Sequence, residues 1–314
     1  METVKNTQNM KKQKTQYFTF AKKRYKKDAL FWGLIFVAPT MLGLFFLNIK
    51  PMFETIFMSF QQSSGLGASQ WVGWENYERL IHDENIPLAI WNTIRYSLIV
   101  VPGTIVFSLL AAELLNQKIK GISFYRVIYF LPVVATPAAI AMVWKWLYNS
   151  DYGLINHALS LIGIKGPAWL TDPQLTIIAI AIVGIWSAIG TNMVILIAGF
   201  QEIPRDYYES SSLEGAGPIR QFFSITLPLV SPALFFVCVT TVINSLQIFD
   251  VIYMMFSPTS EVIPYTQTLV YLFFKHAFIL NEKGYGATII LILLLIIGLL
   301  TYIQMKLQKK WVHY

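Results

Sequence analysis

The chain has 314 residues, of which 55% are hydrophobic, 15% aromatic and only 13% charged. Soluble domains carry about 25% charged residues, so roughly half the charge that a water-exposed surface needs is present. Intrinsic disorder and a water-soluble enzyme are thereby set aside, and a multi-span membrane protein becomes the working class. The single cysteine, Cys238, cannot close an internal disulfide, and no Cys/His ligand spacing suggests zinc. A net charge of +7 remains, from 24 Lys and Arg against 17 Asp and Glu. In a membrane protein such an excess should report orientation.

A helix needs roughly 20 mainly apolar residues to cross a hydrocarbon layer about 30 Å thick. Six stretches qualify in chain order: 30–47, 93–115, 125–147, 175–197, 229–248 and 288–303. The first follows a basic region, as a signal peptide would. It is too long for that role, contains Pro39 and runs into Lys50-Pro51 without a cleavage site, so it is expected to be a retained anchor. Residues 1–29 then form a basic tail, 30–305 the transmembrane domain and 306–314 a second tail.

Nine Lys and Arg lie in residues 1–29, three more (Lys118, Lys120, Arg126) follow the second span, Arg205 and Arg220 lie between the fourth and fifth, and Lys306, Lys309 and Lys310 follow the sixth. These 17 fall on one side; the other seven (Lys50, Arg79, Arg95, Lys145, Lys165, Lys275, Lys283) fall on or near the opposite side. Basic residues are retained in the cytoplasm during insertion, so both termini are predicted inside, and six spans fit that parity. The tail's Lys11-Lys12, Lys22-Lys23-Arg24 and Lys26-Lys27 would suit a phosphate backbone. Beside a span they read instead as lipid-headgroup contacts, and no nucleic acid is expected.

No phosphate-binding loop, nucleophile elbow or metalloprotease motif occurs, and the four histidines (His82, His157, His276, His313) are dispersed. The chain is expected to be non-catalytic. The most informative segment is the cytoplasmic loop 201–226. Pro204 and Asp206 favour a helix start, Gly215 and Gly217-Pro218 stop it, and Ile219, Phe222, Phe223 and Ile225 suggest a second amphipathic stretch ending at Leu227-Pro228. A helix–turn–helix lying flat under the membrane is predicted. It serves either as a plain connection or as a docking element for a cytoplasmic partner.

Glu209-Ser210-Ser211, Gly215-Ala216, and Phe222, Ile225, Leu227 and Pro228 resemble the EAA loop of permease subunits in binding-protein-dependent ABC importers. Val72-Gly73-Trp74-Glu75-Asn76-Tyr77, Asn92-Thr93, Tyr129-Phe130-Leu131-Pro132, Trp144-Lys145-Trp146, Gly153-Leu154-Ile155-Asn156, Trp169-Leu170-Thr171-Asp172-Pro173 and Gly284-Tyr285-Gly286 are similar to segments of maltose- and glycerol-phosphate-type sugar permeases, the larger of two paired subunits. The likeness covers about residues 30–305. Three departures stand out: Ser210 and Ser211 replace two alanines, Glu214 replaces a more usual Asp, and Ser257-Pro258-Thr259-Ser260 replaces a Gly-Gly-Pro.

The resemblance implies the all-α type I importer permease fold with six transmembrane helices in a bacterial plasma membrane. It further implies a second homologous permease, two cytoplasmic ATPase subunits that carry the ATP and Mg, and an extracellular solute-binding protein. This chain would bind no cofactor. Glu209, Ser210, Ser211, Gly215 and Ala216 would dock the ATPase, with Glu209 as charged anchor, small residues at the contact and Gly215 as the bend. The outer loop, about 50–90, would help receive the binding protein.

From the residues themselves, Thr240, Asn244 and Gln247 recur at spacings of four and three on one face of the fifth span, with Asp250 a step further. Polar groups at membrane depth face the bundle interior or water. They either bond to another helix, worth about 0.6–2 kcal/mol per contact, or meet sugar hydroxyls along a pathway; both readings stand here, with Asn192 a weaker candidate for the same role. Trp144, Trp146 and Trp186 read as interfacial anchors rather than sugar platforms. Gly184 and Ala188, four apart, would let another helix approach closely.

A sugar, favoured as an oligosaccharide, is the expected substrate. Glycerol-phosphate is the alternative within the same architecture, but no basic residue lies mid-span to meet a phosphate. An ion-coupled secondary transporter would need buried acidic or histidine relays and repeated halves, and neither is apparent: Arg95 and Lys145 lie near outer ends and Glu113 near an inner one. A scaffold without transport would not need the polar stripe.

Overall fold

The computed structural model describes residues 17–20, 23–62, 69–117 and 120–312. Lys11, Lys12, Lys22, Lys118 and His313 lie outside the described residues. By its contacts the chain divides into 1–57 and 58–314.

In the first unit, β1 (Tyr17–Phe20) pairs antiparallel with β2 (Lys23–Lys26). Helix α1 (Lys27–Leu44) runs through a π-helical turn, Phe45–Ile49, into α2 (Lys50–Met58). Together Phe31–Met58 form one apolar helix of 28 residues, long enough to span, and none of its most apolar stretch is buried within the chain. Such a helix, apolar all round, needs lipid or another subunit to cover it.

In the second unit, β3 (Gln61–Gln62) pairs with β4 (Gln70–Trp71). Then come α3 (Glu75–His82), α4 (Asn85–Asn116), α5 (Ile122–Val134), α6 (Pro137–Leu147), α7 (Leu154–Leu161) and α8 (Thr176–Gln201). A hairpin follows, α9 (Arg205–Leu213) and α10 (Pro218–Gln221), continuing through a π turn, Phe222–Thr226, into α11 (Leu227–Leu229). The chain ends with α12 (Ser231–Leu246), α13 (Asp250–Met255), α14 (Ile263–Thr266), α15 (Leu269–Phe274) and α16 (Lys283–Trp311).

The centre of this unit is the α4 and α8 pair. Tyr96 and Val100 pack with Ile177, Ile180 and Val183 toward one end, and Ala111, Ala112 and Leu115 with Met193, Leu196 and Phe200 toward the other. Gly184 permits this closeness, because a Cβ there would overlap the Tyr96 hydroxyl. The small residue expected to admit a neighbouring helix does so. Helix α16 closes the bundle through Tyr285, Ile289 and Leu293 against Leu246, Leu269 and Leu272.

Among the described residues, four helices are individually long and apolar enough to span, and two bent pairs bring the number to six when each counts once. The predicted count of six is met on that reading, but one predicted span is not straight. The stretch 125–147 is two helices, α5 and α6, at 105°. Ala135 and Thr136 are extended there, Thr136 immediately before Pro137, whose ring disfavours helical backbone in the preceding residue. Thr136 then caps α6 by accepting from the Ala139 amide at 3.3 Å. The stretch 229–248 is one helix, α12, set off by a 71° bend from α11 at its start and ending at Leu246. The region expected as an outer loop, about 50–90, is largely helical, and the short apolar helix Leu269–Ile279 has no counterpart among the predicted spans.

Candidate functional site

Two places in the second unit carry chemistry. The first is a cavity of about 490 Å³ bounded by α4, α5, α6, α8, α12 and α13. Its polar lining is made of amides and small hydroxyls from α8 (Ser187, Thr191, Asn192) and α12 (Thr241, Asn244, Ser245), with Asp250 at the start of α13. Asn192 is buried and donates through Nδ2 to the Thr241 hydroxyl at 3.3 Å. Ser245 donates to Ser97 of α4 at 3.0 Å. Among the described residues, no lysine or arginine lines this cavity.

The predicted stripe lands there only in part. Asn192, Asn244 and Asp250 line the cavity, but Thr240 does not. Its hydroxyl is turned back onto its own helix, to the carbonyls of Phe236 at 2.9 Å and Val237 at 3.2 Å. Gln247 is also absent from the lining: α12 has ended, and Gln247 sits at its C-terminal cap with φ −99° and ψ 14°. A periodicity of 3.6 holds only while the helix lasts. The missed residues are Ser187, Thr191, Thr241 and Ser245. Ser187 and Thr191 stand four apart in an apolar run, a faint signal that was available. Trp144 and Trp186 pack edge to face at 5.6 Å and lie outside the lining.

The second place is the α9–α10 hairpin. Pro204 holds extended backbone before α9, and Asp206 occupies its first turn, where a carboxylate meets the exposed helix amides. At the other end the Gly215 amide bonds to the Ser212 carbonyl and that of Ala216 to Ser211, both at 3.0 Å. Gly215 has φ +82°, a left-handed closure that glycine adopts without steric cost. Glu209, Ser210 and Gly215 are exposed, Ser211 and Ala216 half-buried, and Leu213 is 91% exposed. Among the described residues, none of Glu202, Arg205, Asp206, Glu209, Glu214 and Arg220 forms an ion pair.

The opposite arrangement holds where α3 meets α16. Arg79 and His276 both reach Glu282 Oε2, at 2.9 and 2.7 Å, and the Arg79 guanidinium lies 4.0 Å over the Tyr285 ring. The Tyr285 hydroxyl donates to Asp83 Oδ2 at 2.7 Å, and the Asn85 amide to Asp83 Oδ1 at 2.9 Å. Partial burial alone would raise both carboxyls, but the hydrogen bonds to Glu282 from Arg79 and His276, and to Asp83 from Tyr285 and Asn85, outweigh it and hold both below the usual carboxylate range. Nearby, buried Asn76 donates to the carbonyls of Ser59 at 2.8 Å and Gln61 at 3.0 Å. Gly284 lets the start of α16 pass so close to Gln61 that a Cβ would overlap its carbonyl.

Residues 85–314 match the family model described as the binding-protein-dependent transport system inner membrane component. The chain belongs to this family. The permease is 32% identical over 294 residues to a Bacillus subtilis protein described as a probable ABC transporter permease, YesP, covering 92% of this chain and 94% of that one. It is 30% identical over 282 residues to the Escherichia coli sn-glycerol-3-phosphate transport system permease UgpA, covering 89% and 95%. Its fold matches a chain of a solved bacterial ABC transporter that imports the acidic polysaccharide alginate, with a TM-score of 0.79 at 20% identity over 91% of this permease and 96% of that chain. The permease is thus a multi-pass membrane subunit of an ABC transporter with the importer fold.

Proposed function

We propose that the permease forms, with a second homologous permease, the path by which a sugar enters the cell, driven by ATP hydrolysed on two cytoplasmic ATPase subunits. The carrying observation is the cavity, whose apolar wall is broken by amides and hydroxyls of two adjacent helices and by Asp250, with no basic side chain among the described residues. Amides and hydroxyls donate and accept, as a polyol requires, whereas a phosphate or uronate favours arginine or lysine. Asn192, Asn244 and Asp250, joined by Thr191, Thr241 and Ser245, are the substrate contacts in this reading; Thr240 and Gln247 stand outside the cavity.

The hairpin is the docking site for the ATPase, with Glu209, Ser210, Ser211, Gly215 and Ala216 at the contact. Its unpaired charges and exposed Leu213 support that role. The distribution of basic residues supports a cytoplasmic position for it and for both termini, and the bacterial relatives support a bacterial plasma membrane. The α3 and α16 corner then faces outward, toward a solute-binding protein. ATP and Mg belong to the ATPase subunits. ATP drives import by as much as its binding favours one conformation of the assembly over the other.

The test is uptake into vesicles holding the complete transporter and its binding protein. ATP-dependent uptake of a neutral oligosaccharide is expected; uptake driven by an ion gradient without ATP would sink the proposal. The second reading, sn-glycerol-3-phosphate as substrate, rests on the likeness to UgpA. It predicts that this anion competes for uptake.

A further inference from the structure

Between α9 and α10 the chain runs through Glu214, Gly215, Ala216 and Gly217, a connector with two glycines. Glycine leaves a connector conformationally free, so a lever made of α9 and α10 would flex there unless braced. The brace is present. Gln221 Nε2, at the end of α10, lies 3.0 Å from Ser211 Oγ, 2.8 Å from Ser212 Oγ and 3.3 Å from the Tyr208 carbonyl. Both serine hydroxyls already donate to that carbonyl, at 2.9 and 2.7 Å. Each hydroxyl has one hydrogen, so toward Gln221 both act as acceptors and the amide NH₂ must be the donor. The two amide hydrogens serve the two serine oxygens, and the longer approach to the Tyr208 carbonyl, already met by both hydroxyls, is a secondary contact.

A second tie lies nearer the membrane, where the Tyr208 hydroxyl meets Thr226 Oγ1 at 2.9 Å. Thr226 closes the π turn before α11, which bends by 71° into α12. Helix α12 carries Thr241, Asn244 and Ser245 into the cavity, about 15 to 21 Å along its axis from Ser231 at 1.5 Å per residue. An alanine at 211, as in the pattern this loop resembles, would leave Gln221 without one of its acceptors. One of the two acceptors in the brace, Ser211, is therefore this chain's departure from that pattern.

We propose that Gln221 is a positioning residue for coupling: through Ser211 and Ser212 it joins α9 and α10 into one lever, moving the hinge from the Gly-Ala-Gly connector to the bend at Val230. This rests on the reading of the hairpin as the ATPase docking element. ATPase closure then tilts α12 rather than being absorbed in the loop.

The experiment uses the complete transporter in vesicles and reads substrate taken up per ATP hydrolysed, together with co-purification of the ATPase subunits. Gln221→Met keeps length and shape without the amide; Ser212→Ala removes the nearer acceptor, and Ser212→Thr restores a hydroxyl there. The first two are expected to lower the ratio at least about threefold, the lower range for a lost hydrogen bond, with assembly intact, and Ser212→Thr to retain it. An unchanged ratio in Gln221→Met and in Ser212→Ala overturns the proposal. Loss of co-purification in both also overturns it, since the contacts would then serve assembly alone. Glu209→Lys separates the levels. If it uncouples while Gln221→Met does not, the brace fails and the docking role stands; if it transports normally, the docking role itself fails.

Discussion

The hairpin and the corner where α3 meets α16 contain the same kinds of side chain and use them oppositely. At the corner, Arg79, His276, Glu282, Tyr285 and Asp83 satisfy one another within 2.7 to 4.0 Å. On the hairpin, hydrogen bonds brace the backbone while the charges stay unpaired among the described residues and a leucine stands in the open. A saturated network has little left to offer a partner, so its residues act on stability. An unsaturated surface contributes little to stability and is open to binding. The prediction is that substitutions at the corner change how much transporter survives, and those on the hairpin change what it does.

The largest effect that would break this contrast is on the hairpin. Gly215→Asp or Glu209→Lys is expected to reduce ATP-driven uptake by more than tenfold, a loss of about 1.4 kcal/mol or more in coupling, while the protein remains in the membrane. Gly215 faces open space, so the substitution acts by strain at positive φ and by added charge, not by collision. Uptake assays on membranes with matched permease content check it. Undiminished uptake would mean that the free charges carry no function.

Next in size is Asn76→Ala, which strips a buried donor from the carbonyls of Ser59 and Gln61. The Ser59 carbonyl keeps the Thr288 hydroxyl at 3.3 Å, but losing both amide bonds still costs about 1–3 kcal/mol, so the melting temperature in detergent should fall by several degrees while uptake per surviving molecule is unchanged. A change in transport rate with no change in melting would put the corner in the mechanism.

How much of this was legible in the sequence follows from the same distinction. Motifs that end helices are local, so Pro204, Gly215 and Gly217-Pro218 place α9 and α10 to within a residue. The importer resemblance likewise identified the family. Breaks inside apolar runs were harder: Thr136-Pro137 carries the signal for the α5 to α6 bend, but hydropathy averages across it. A stripe drawn on a continuous helix keeps Gln247 and misses Thr241, one residue from Thr240. The corner was not legible at all. Arg79 and Glu282 lie 203 residues apart, and no periodicity joins them.

The third prediction concerns acid. Glu282 and Asp83 hold their protons less tightly in the folded protein than in the unfolded chain. A lowered folded pKa stabilises above the ordinary carboxylate value, about 4, and that contribution is lost as pH falls through the folded value. Melting measured from pH 6 down to pH 3 should therefore drop at the acid end, and Glu282→Gln should flatten the drop while lowering the plateau by about 1 kcal/mol, a modest value because the pair is partly exposed. Equal acid slopes in the two proteins would remove the corner from the pH response.

The smallest and sharpest comparison removes the same atom from each region. Tyr285→Phe deletes the hydroxyl that donates to Asp83, and Tyr208→Phe the one that meets Thr226. Each loss is one hydrogen bond of about 1 kcal/mol, so chemistry alone gives no reason for them to differ. Location does. Tyr285→Phe frees a carboxylate inside a satisfied network, so it should lower melting slightly, weaken the Asp83 part of the acid response and leave uptake per ATP intact. Tyr208→Phe loosens the inner tie of the hairpin, so it should leave melting nearly unchanged and lower uptake per ATP. Measured side by side, matching effects on both readouts would mean that polar saturation does not separate the stabilising part of this permease from its coupling part.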